Sequence, residues 1–308
     1  MNKKIIKLFV ICIIVLTLTG CTVQLKDSKN KLVKNDITGQ TLTKNILCKP
    51  TDKATIKKYT ENGVKVSKLD DCNNFSVVGS KYNGIWESIF IRPLAWLILK
   101  IGGLFNKYGW SIVFTTILIR LVVMPFTKKA ALQSENMKKA QPELNKLEKK
   151  YSNKNDQDSM MKKSQEMMFI YKKYGINPMA GCLFSLIQIP LFFAFYESLN
   201  RLPAIFEENF YGIKLGMTPG MAISQGKIYY VIIIILVVVA SYYGMKLNSG
   251  ASMSKEQESQ MKTMMNMMIM FMGIAAITLP TGIAIYWIVN NVFTIAQNLW
   301  VRRKKDAK

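Results

Sequence analysis

Apolar residues are gathered into long blocks along this chain. No charge falls between Lys262 and Arg302. That is room for two helices, each needing about 20 residues to cross ~30 Å of hydrocarbon. Pro280-Thr281-Gly282 supplies the turn between them. Lys227 and Lys246 bracket a second block that holds the run Val231 to Ala240, and Lys173 and Glu197 bracket a third. A fourth, Tyr108 to Thr127, is uncharged except for Arg120. The pattern predicts an all-α integral membrane protein with a five-helix transmembrane bundle, its spans at about 110–126, 178–198, 228–245, 262–279 and 281–300. Residues 83–107 read differently. Their aromatic and aliphatic positions are interrupted by Glu87, Arg92, Pro93 and Lys100. With Trp86 and Trp96 suited to the headgroup region, they fit an exterior interfacial amphipathic helix.

The segment 128–175 carries twelve lysines and six acids. Leu144, Leu147 and Tyr151, then Met160, Ser164, Met167 and Tyr171, recur at helical spacing, so it reads as a helical hairpin. The break falls at Asn153–Asp156, and Gly175 serves as a C-terminal cap. The N-terminus carries Lys3, Lys4 and Lys7, then an apolar run Leu8–Leu16 and Leu18-Thr19-Gly20-Cys21. This is the grammar of a secretory signal, and its ending resembles a bacterial lipoprotein signal. The resemblance implies removal of residues 1–20 and a diacylglyceryl thioether on Cys21. Residues 21–82 are polar and lysine-rich without an apolar period, which reads as an exterior lipid-anchored tether or a small exterior domain. Its Cys48 and Cys72 would face an oxidising exterior, either paired or as separate thiols.

Charge then sets orientation. The chain has 42 Lys+Arg against 19 Asp+Glu, a net +23, yet 50% of it is hydrophobic. The two excesses are segregated, so the charge is not a surface for nucleic-acid readout. The basic hairpin and the tail 302–308 belong on the cytoplasmic side and the N-terminal segment outside. Histidine is absent. That excludes Ser-His-Asp and Cys-His catalysis and HExxH zinc sites, and no metal or cofactor is expected.

The polar residues inside the spans carry the candidate chemistry. An arginine at the depth of Arg120 costs ~2.5–3.5 kcal/mol on the insertion scale. Ten Ile, Leu, Val and Phe residues in 110–126 return about 3–6 kcal/mol. Thr116, at i−4, shares its face. Ser185 and Gln188 share a face of the second span. In the fifth, Trp287, Asn291, Thr294 and Asn298 form one stripe, with Tyr286, Asn290 and Gln297 beside it. The span interiors read as free of Asp and Glu, which weighs against ion-coupled transport and aspartyl proteolysis. Methionines crowd at 261, 264, 265, 267, 268, 270 and 272, and again at 160, 161, 167 and 168. They read either as lipid-facing and core filler or as a pliable surface for varied apolar segments.

Ile119-Arg120-Leu121 with Pro125-Phe126-Thr127, Asn177-Pro178, Gly181-Cys182-Leu183, Gln188-Ile189-Pro190 and Tyr286-Trp287 together resemble the YidC family of membrane protein insertases. The likeness covers about Gly84 to Arg303 and leaves out 22–82. It implies a non-enzymatic protein with a groove open to cytosol and lipid but closed outside. Arg120 would be the groove's positive residue, with Gln188 and Trp287 lining it; helix spacing adds Thr116, Asn290 and Asn291. It also implies nascent membrane proteins as substrates, received by the hairpin from the cytosol. Action alone or beside the Sec translocon, and ribosome contact through the hairpin and basic tail, complete the expectation. Two rivals fit the same polar residues: an anion-conducting channel and a membrane assembly scaffold.

Overall fold

A computed structural model describes residues 22–77, 84–153, 156–177, 180–248 and 255–306. The signal segment 1–20, the lipidation candidate Cys21 and the first residues of the second predicted span lie outside the described residues. The elements are α1 (Lys53–Glu61), a π-helical turn (Glu87–Ile91), α2 (Arg92–Phe105), α3 (Tyr108–Tyr151), α4 (Gln157–Lys173), α5 (Ala180–Arg201), α6 (Pro203–Phe206), a two-stranded antiparallel pair β1 (Asn209–Phe210) and β2 (Ile213–Lys214), α7 (Pro219–Ser224), α8 (Tyr230–Asn248), α9 (Lys255–Thr278) and α10 (Thr281–Asp306). The fold is that of an all-α membrane protein. Among the described residues, three helices are long and apolar enough to cross a membrane: Glu87–Phe105, Tyr108–Tyr151 and Tyr230–Leu247; Lys262–Thr278 is a shorter apolar helix.

The chain divides into two compact units. The first comprises residues up to Leu118 with Gln188–Val237 and Ile274–Val289; the second comprises Ile119–Ile187, Val238–Gly273 and Asn290 onward.

In the first unit, residues 22–77 fold into a packed lobe. Leu25, Leu42, Ile46, Tyr59 and Val66 bury together with Phe206. Three segments exchange main-chain hydrogen bonds, from Leu25 N to Leu42 O, Val33 N to Leu25 O and Leu42 N to Val33 O. These are isolated bridges rather than regular strands, which is why the sequence shows no apolar period there. Asp52 caps α1 by accepting from Thr55 N, and the Thr55 hydroxyl holds its carboxyl below the usual range. Cys48 and Cys72 are joined by a disulfide. The lobe sits on the connection between α5 and α8. Leu47 N donates to Arg201 O at 2.9 Å, Thr51 donates to Glu207, and Thr218 N donates to Thr38 O at 3.1 Å. The same connection receives α10, whose first amides would otherwise be unpaired. Thr281 N and Oγ1 both donate to Met217 O, and Gly282 N donates to Leu215 O.

The helix from Glu87 departs from the interfacial expectation in one respect. Trp86 does not reach toward headgroups; it is buried at 1% exposure and donates from Nε1 to Glu197 Oε1 at 3.0 Å. Glu87 is likewise buried, paired with Arg201 and near Arg92. Lys100 stays exposed; by length and mean hydropathy alone, Glu87–Phe105 also qualifies as a span.

In the second unit, α3 continues from Ile119 through Pro125 and Pro142 to Tyr151 without a break. Its latter half pairs with α4 as an antiparallel hairpin over a core of Ala140, Leu144, Leu147, Tyr151, Ile170, Tyr171 and Ile176. Two like-built clasps set the register. Glu166 Oε1 accepts from Lys150 Nζ at 2.6 Å and Tyr151 OH at 2.8 Å. Glu143 Oε1 accepts from Lys173 Nζ and Tyr174 OH at the same distances. This register places Met160 beyond Tyr151, the end of α3, and both Met160 and Ser164 are exposed where helical spacing alone puts them in the seam. Gly175, at φ 61°, ends α4 and lets Ile176 N donate to Tyr171 O. Gln133 then fixes the exit: it donates to Gly175 O and accepts from Asn177 N at 2.7 Å.

The clasps predict a pH response. The Lys173 and Lys150 hydrogen bonds, then those of Tyr174 and Tyr151, hold the Glu143 and Glu166 carboxyls below their ordinary 4.5. A lowered folded value means the clasp contribution is complete above pH 4.5 and fades as pH falls below it. Lys150 and Lys173 are raised by the same glutamates, so their contribution persists until pH rises past the ordinary lysine range. The protection of amides in 157–173, taken relative to their intrinsic exchange at each pH, should therefore fall on acidification below about pH 4.5. In the double variant Glu143→Gln/Glu166→Gln it should lose that dependence.

Candidate functional site

In the second unit, α3 and α10 run in the same direction and meet along a polar seam. Arg120, 2% exposed, donates from Nε to Asn290 Oδ1 at 2.6 Å. Seven residues further along both helices, Thr127 Oγ1 donates to Gln297 Oε1 at 3.0 Å and accepts from Gln297 Nε2 at 2.9 Å. Further on, Arg302 Nε donates to Glu135 Oε2 at 3.1 Å. The first step, seven residues on both helices, keeps one face of each in contact over two turns. On α10, Thr294 and Asn298 return hydrogen bonds to Asn290 O and Thr294 O, four residues back. Asn291 turns to α8, where its Nδ2 donates to Ser241 Oγ at 3.3 Å. Gly244 makes this approach possible, because a Cβ there would stand 2.8 Å from Asn291 Oδ1.

In the first unit, Thr116 is buried and donates to Ile112 O at 2.6 Å. Its hydroxyl is thus occupied by its own helix, a bond that competes with any outward role. Gln188 Nε2 reaches Tyr286 OH at 3.5 Å. Trp287 stacks on Phe192, with ring centroids 5.6 Å apart and planes at 12°, and Tyr286 stacks on Phe195 at 4.3 Å. Gln188 is half-buried, whereas Trp287 is buried, so this wall is aromatic with one amide at its edge.

Of the six residues expected to line a groove, Arg120 and Asn290 are directly paired, and Asn291 lies beside them in sequence but faces α8. Gln188 meets the neighbour of Trp287, and Thr116 is turned to its own backbone. The side chain of Ser185 lies outside the described residues. Among the described residues no cluster of His, Cys, Asp and Glu could hold a metal ion.

Pattern reading missed a second polar centre. Glu87, Glu197, Arg92 and Arg201 meet in the first unit with Trp86. Arg201 pairs with Glu87 and lies 3.8 Å from Glu197, and Arg92 lies 3.9 Å from Glu87. Arg201 is 2% exposed, and its Nε also donates to Asn45 O in the N-terminal lobe at 2.7 Å. Glu197, at the end of the second span, corrects the expectation of a carboxylate-free bundle. The available signal was the balance of two acids and two arginines at the margins of apolar runs, including the i,i+4 pair Glu197/Arg201.

Fold and buried basic seam together define the class: an α-helical integral membrane protein with a charged residue held inside its bundle. Residues 100–308 match the model of the family described as 60Kd inner membrane protein. The membrane protein insertase YidC of Oceanobacillus iheyensis is 33% identical over 73% of this chain and 87% of its own length. YidC 2 of Bacillus anthracis is 36% identical over 70% and 81%, and MisCA of Bacillus subtilis 36% identical over 70% and 79%. A crystal structure titled as an active YidC insertase is 23% identical with a TM-score of 0.49, over 79% of this chain and 49% of that one. The chain belongs to the 60Kd inner membrane protein family, the family of the YidC insertases.

Proposed function

We propose that this protein inserts nascent membrane proteins into the bilayer and helps them fold, with Arg120 as the positive residue of a hydrated intramembrane groove. The observation that carries the reading is a guanidinium buried within an apolar helical stretch and anchored at Nε by Asn290, in a chain whose relatives are named insertases. A polar or acidic segment entering hydrocarbon without compensation loses hydration that nothing replaces. Partial hydration and a fixed positive charge lower that cost, and the attraction gains strength as the local dielectric falls. The substrate's own apolar helix then leaves for lipid, so the protein itself needs no nucleotide hydrolysis and carries out no bond chemistry. Because Arg120 is shielded at rest, substrate entry uncovers it. Gln188 and Trp287 are assigned to contact with the passing segment.

The disulfide supports the orientation. Cys48–Cys72 favours an oxidising compartment, which supports an exterior N-terminal lobe; a lipid anchor on Cys21 is part of the same proposal. Five crossings then bring the basic hairpin and tail to the cytoplasm, with the Glu87–Phe105 helix at the outer interface. In this topology the hairpin receives substrate from the cytosol, beside the Sec translocon or alone, and the hairpin and tail face the ribosome.

Complementation of insertase-depleted cells tests the reading. The full chain should restore growth, and Arg120→Lys should retain more activity than Arg120→Ala. Full rescue by Arg120→Ala for every substrate, with loss only on hairpin deletion, would reduce the protein to an assembly scaffold. Steady anion current in reconstituted bilayers without rescue would make it a channel.

A further inference from the structure

We infer that the lower end of the α3–α10 seam is a binding site for the headgroup of an anionic phospholipid. The inference goes beyond the insertase reading and does not depend on it. Three observations mark the stretch from Lys128 to Lys138, about 15 Å along the axis of α3. Lys128 is the first charged residue after the apolar stretch that contains Arg120, and its Nζ stands 5.0 Å from the ring centroid of Trp300, at the end of the fifth predicted span. Tryptophan and lysine at the edge of an apolar stretch mark headgroup depth. Lys138 and Arg302 then share one carboxylate: Glu135 Oε2 lies 3.1 Å from Arg302 Nε and 3.9 Å from Lys138 Nζ. One acid between two cations leaves an excess of positive charge on a half-buried surface. Burial and the nearby Arg302 also depress the Lys138 ammonium, whereas Glu135 raises it.

These residues share a face. Lys128, Glu135 and Lys138 are spaced by seven and three along α3, so all point toward α10. Immediately before Lys128, and about 12 Å before Glu135 along the axis, the Thr127–Gln297 pair closes the seam with neutral hydrogen bonds. The seam therefore changes from neutral and buried at Thr127 to cationic and half-open over the next ~15 Å, where the chain leaves hydrocarbon for the phosphate layer. A phosphodiester there would complete the charge balance that Glu135 only half supplies, with guanidinium and ammonium donors in charge-assisted hydrogen bonds. A zwitterionic headgroup brings its own cation and gains less.

The test uses the full chain, purified in mild detergent and exposed to phosphatidylglycerol and phosphatidylcholine, with retained lipid read by native mass spectrometry. Wild type should retain phosphatidylglycerol preferentially. Lys138→Gln/Arg302→Gln should lose retention by roughly fivefold for each charge removed, while Lys149→Gln, elsewhere on the hairpin, should not. Glu135→Gln keeps the cations and removes their competitor, so it should retain phosphatidylglycerol at least as well as wild type. Equal retention of both lipids, or unchanged retention in the double variant, would overturn the proposal. So would a loss in Glu135→Gln matching that of the double variant, which would make the cluster a purely structural ion network. Thermal stabilisation by inorganic phosphate equal to that by phosphatidylglycerol would assign the cluster to free phosphate and overturn the lipid assignment.

Discussion

Arg201→Ala is expected to destabilise the protein by about 3–5 kcal/mol, the usual cost of removing one partner from a buried ion pair. The magnitude follows from what would be left behind. Glu87 and Glu197 are 5% and 4% exposed, and both face Arg201. Without it, two carboxylates share a buried site, with Arg92 and the Trp86 indole among their remaining partners. The guanidinium also reaches Asn45 O, and the Arg201 carbonyl accepts from Leu47 N. The N-terminal lobe should therefore loosen as well. Thermal unfolding of the detergent-solubilised chain measures the first effect, and protease sensitivity of residues 22–77 the second. The double variant Glu87→Gln/Arg201→Met removes a pair rather than one charge, and it should be less damaging than Arg201→Ala. If the single and double variants lose the same stability, the residues are not coupled as their geometry implies.

Arg120→Ala is expected to reduce insertion of substrates with acidic translocated segments by tenfold or more, about 1.4 kcal/mol at the least. It should change insertion of uncharged ones much less. The distinction arises because the variant removes a charge that only a charged segment exploits. It also frees Asn290 Oδ1, whose partner is Arg120 Nε at 2.6 Å. A folding defect would lower insertion of every substrate alike. Arg120→Lys keeps the charge but replaces a planar guanidinium by a flexible ammonium. It should fall between wild type and alanine on acidic substrates. Paired substrates differing only in acidic residues, compared in the same cells, provide the readout.

Much of this architecture was legible because hydrocarbon imposes a coarse rule: runs of about 20 apolar residues become helices. Arg120 stood out by the same rule, since charge is expensive there and a lone exception is visible. Its partner was harder to read. Asn290 lay beside the main polar stripe of α10, and only the parallel run of α3 and α10 decides which asparagine meets the guanidinium. Thr116 shows another limit of helix spacing. Helix spacing places it on Arg120's face, but a threonine in a helix can satisfy itself on the carbonyl four residues back, and it does. Met160 fails for a related reason: spacing fixes a face but not where the partner helix stops. The N-terminal lobe was illegible as a fold because its core residues Leu25, Leu42, Tyr59 and Val66 follow no period. The ion network was hidden because each charge, taken alone, reads as an interruption, and only long-range packing brings Glu87 to Arg201.

The central claim is that positive charge at residue 120 serves polar segments crossing the membrane. Proteoliposomes containing only this protein test it most directly, with a single-span substrate series whose translocated tail carries zero, one, two or three acidic residues. The wild-type protein should hold insertion nearly constant across the series. The Arg120→Ala protein should match it at zero and fall progressively with each added acid. Parallel curves for the two proteins, with the same dependence on tail charge, would contradict the account.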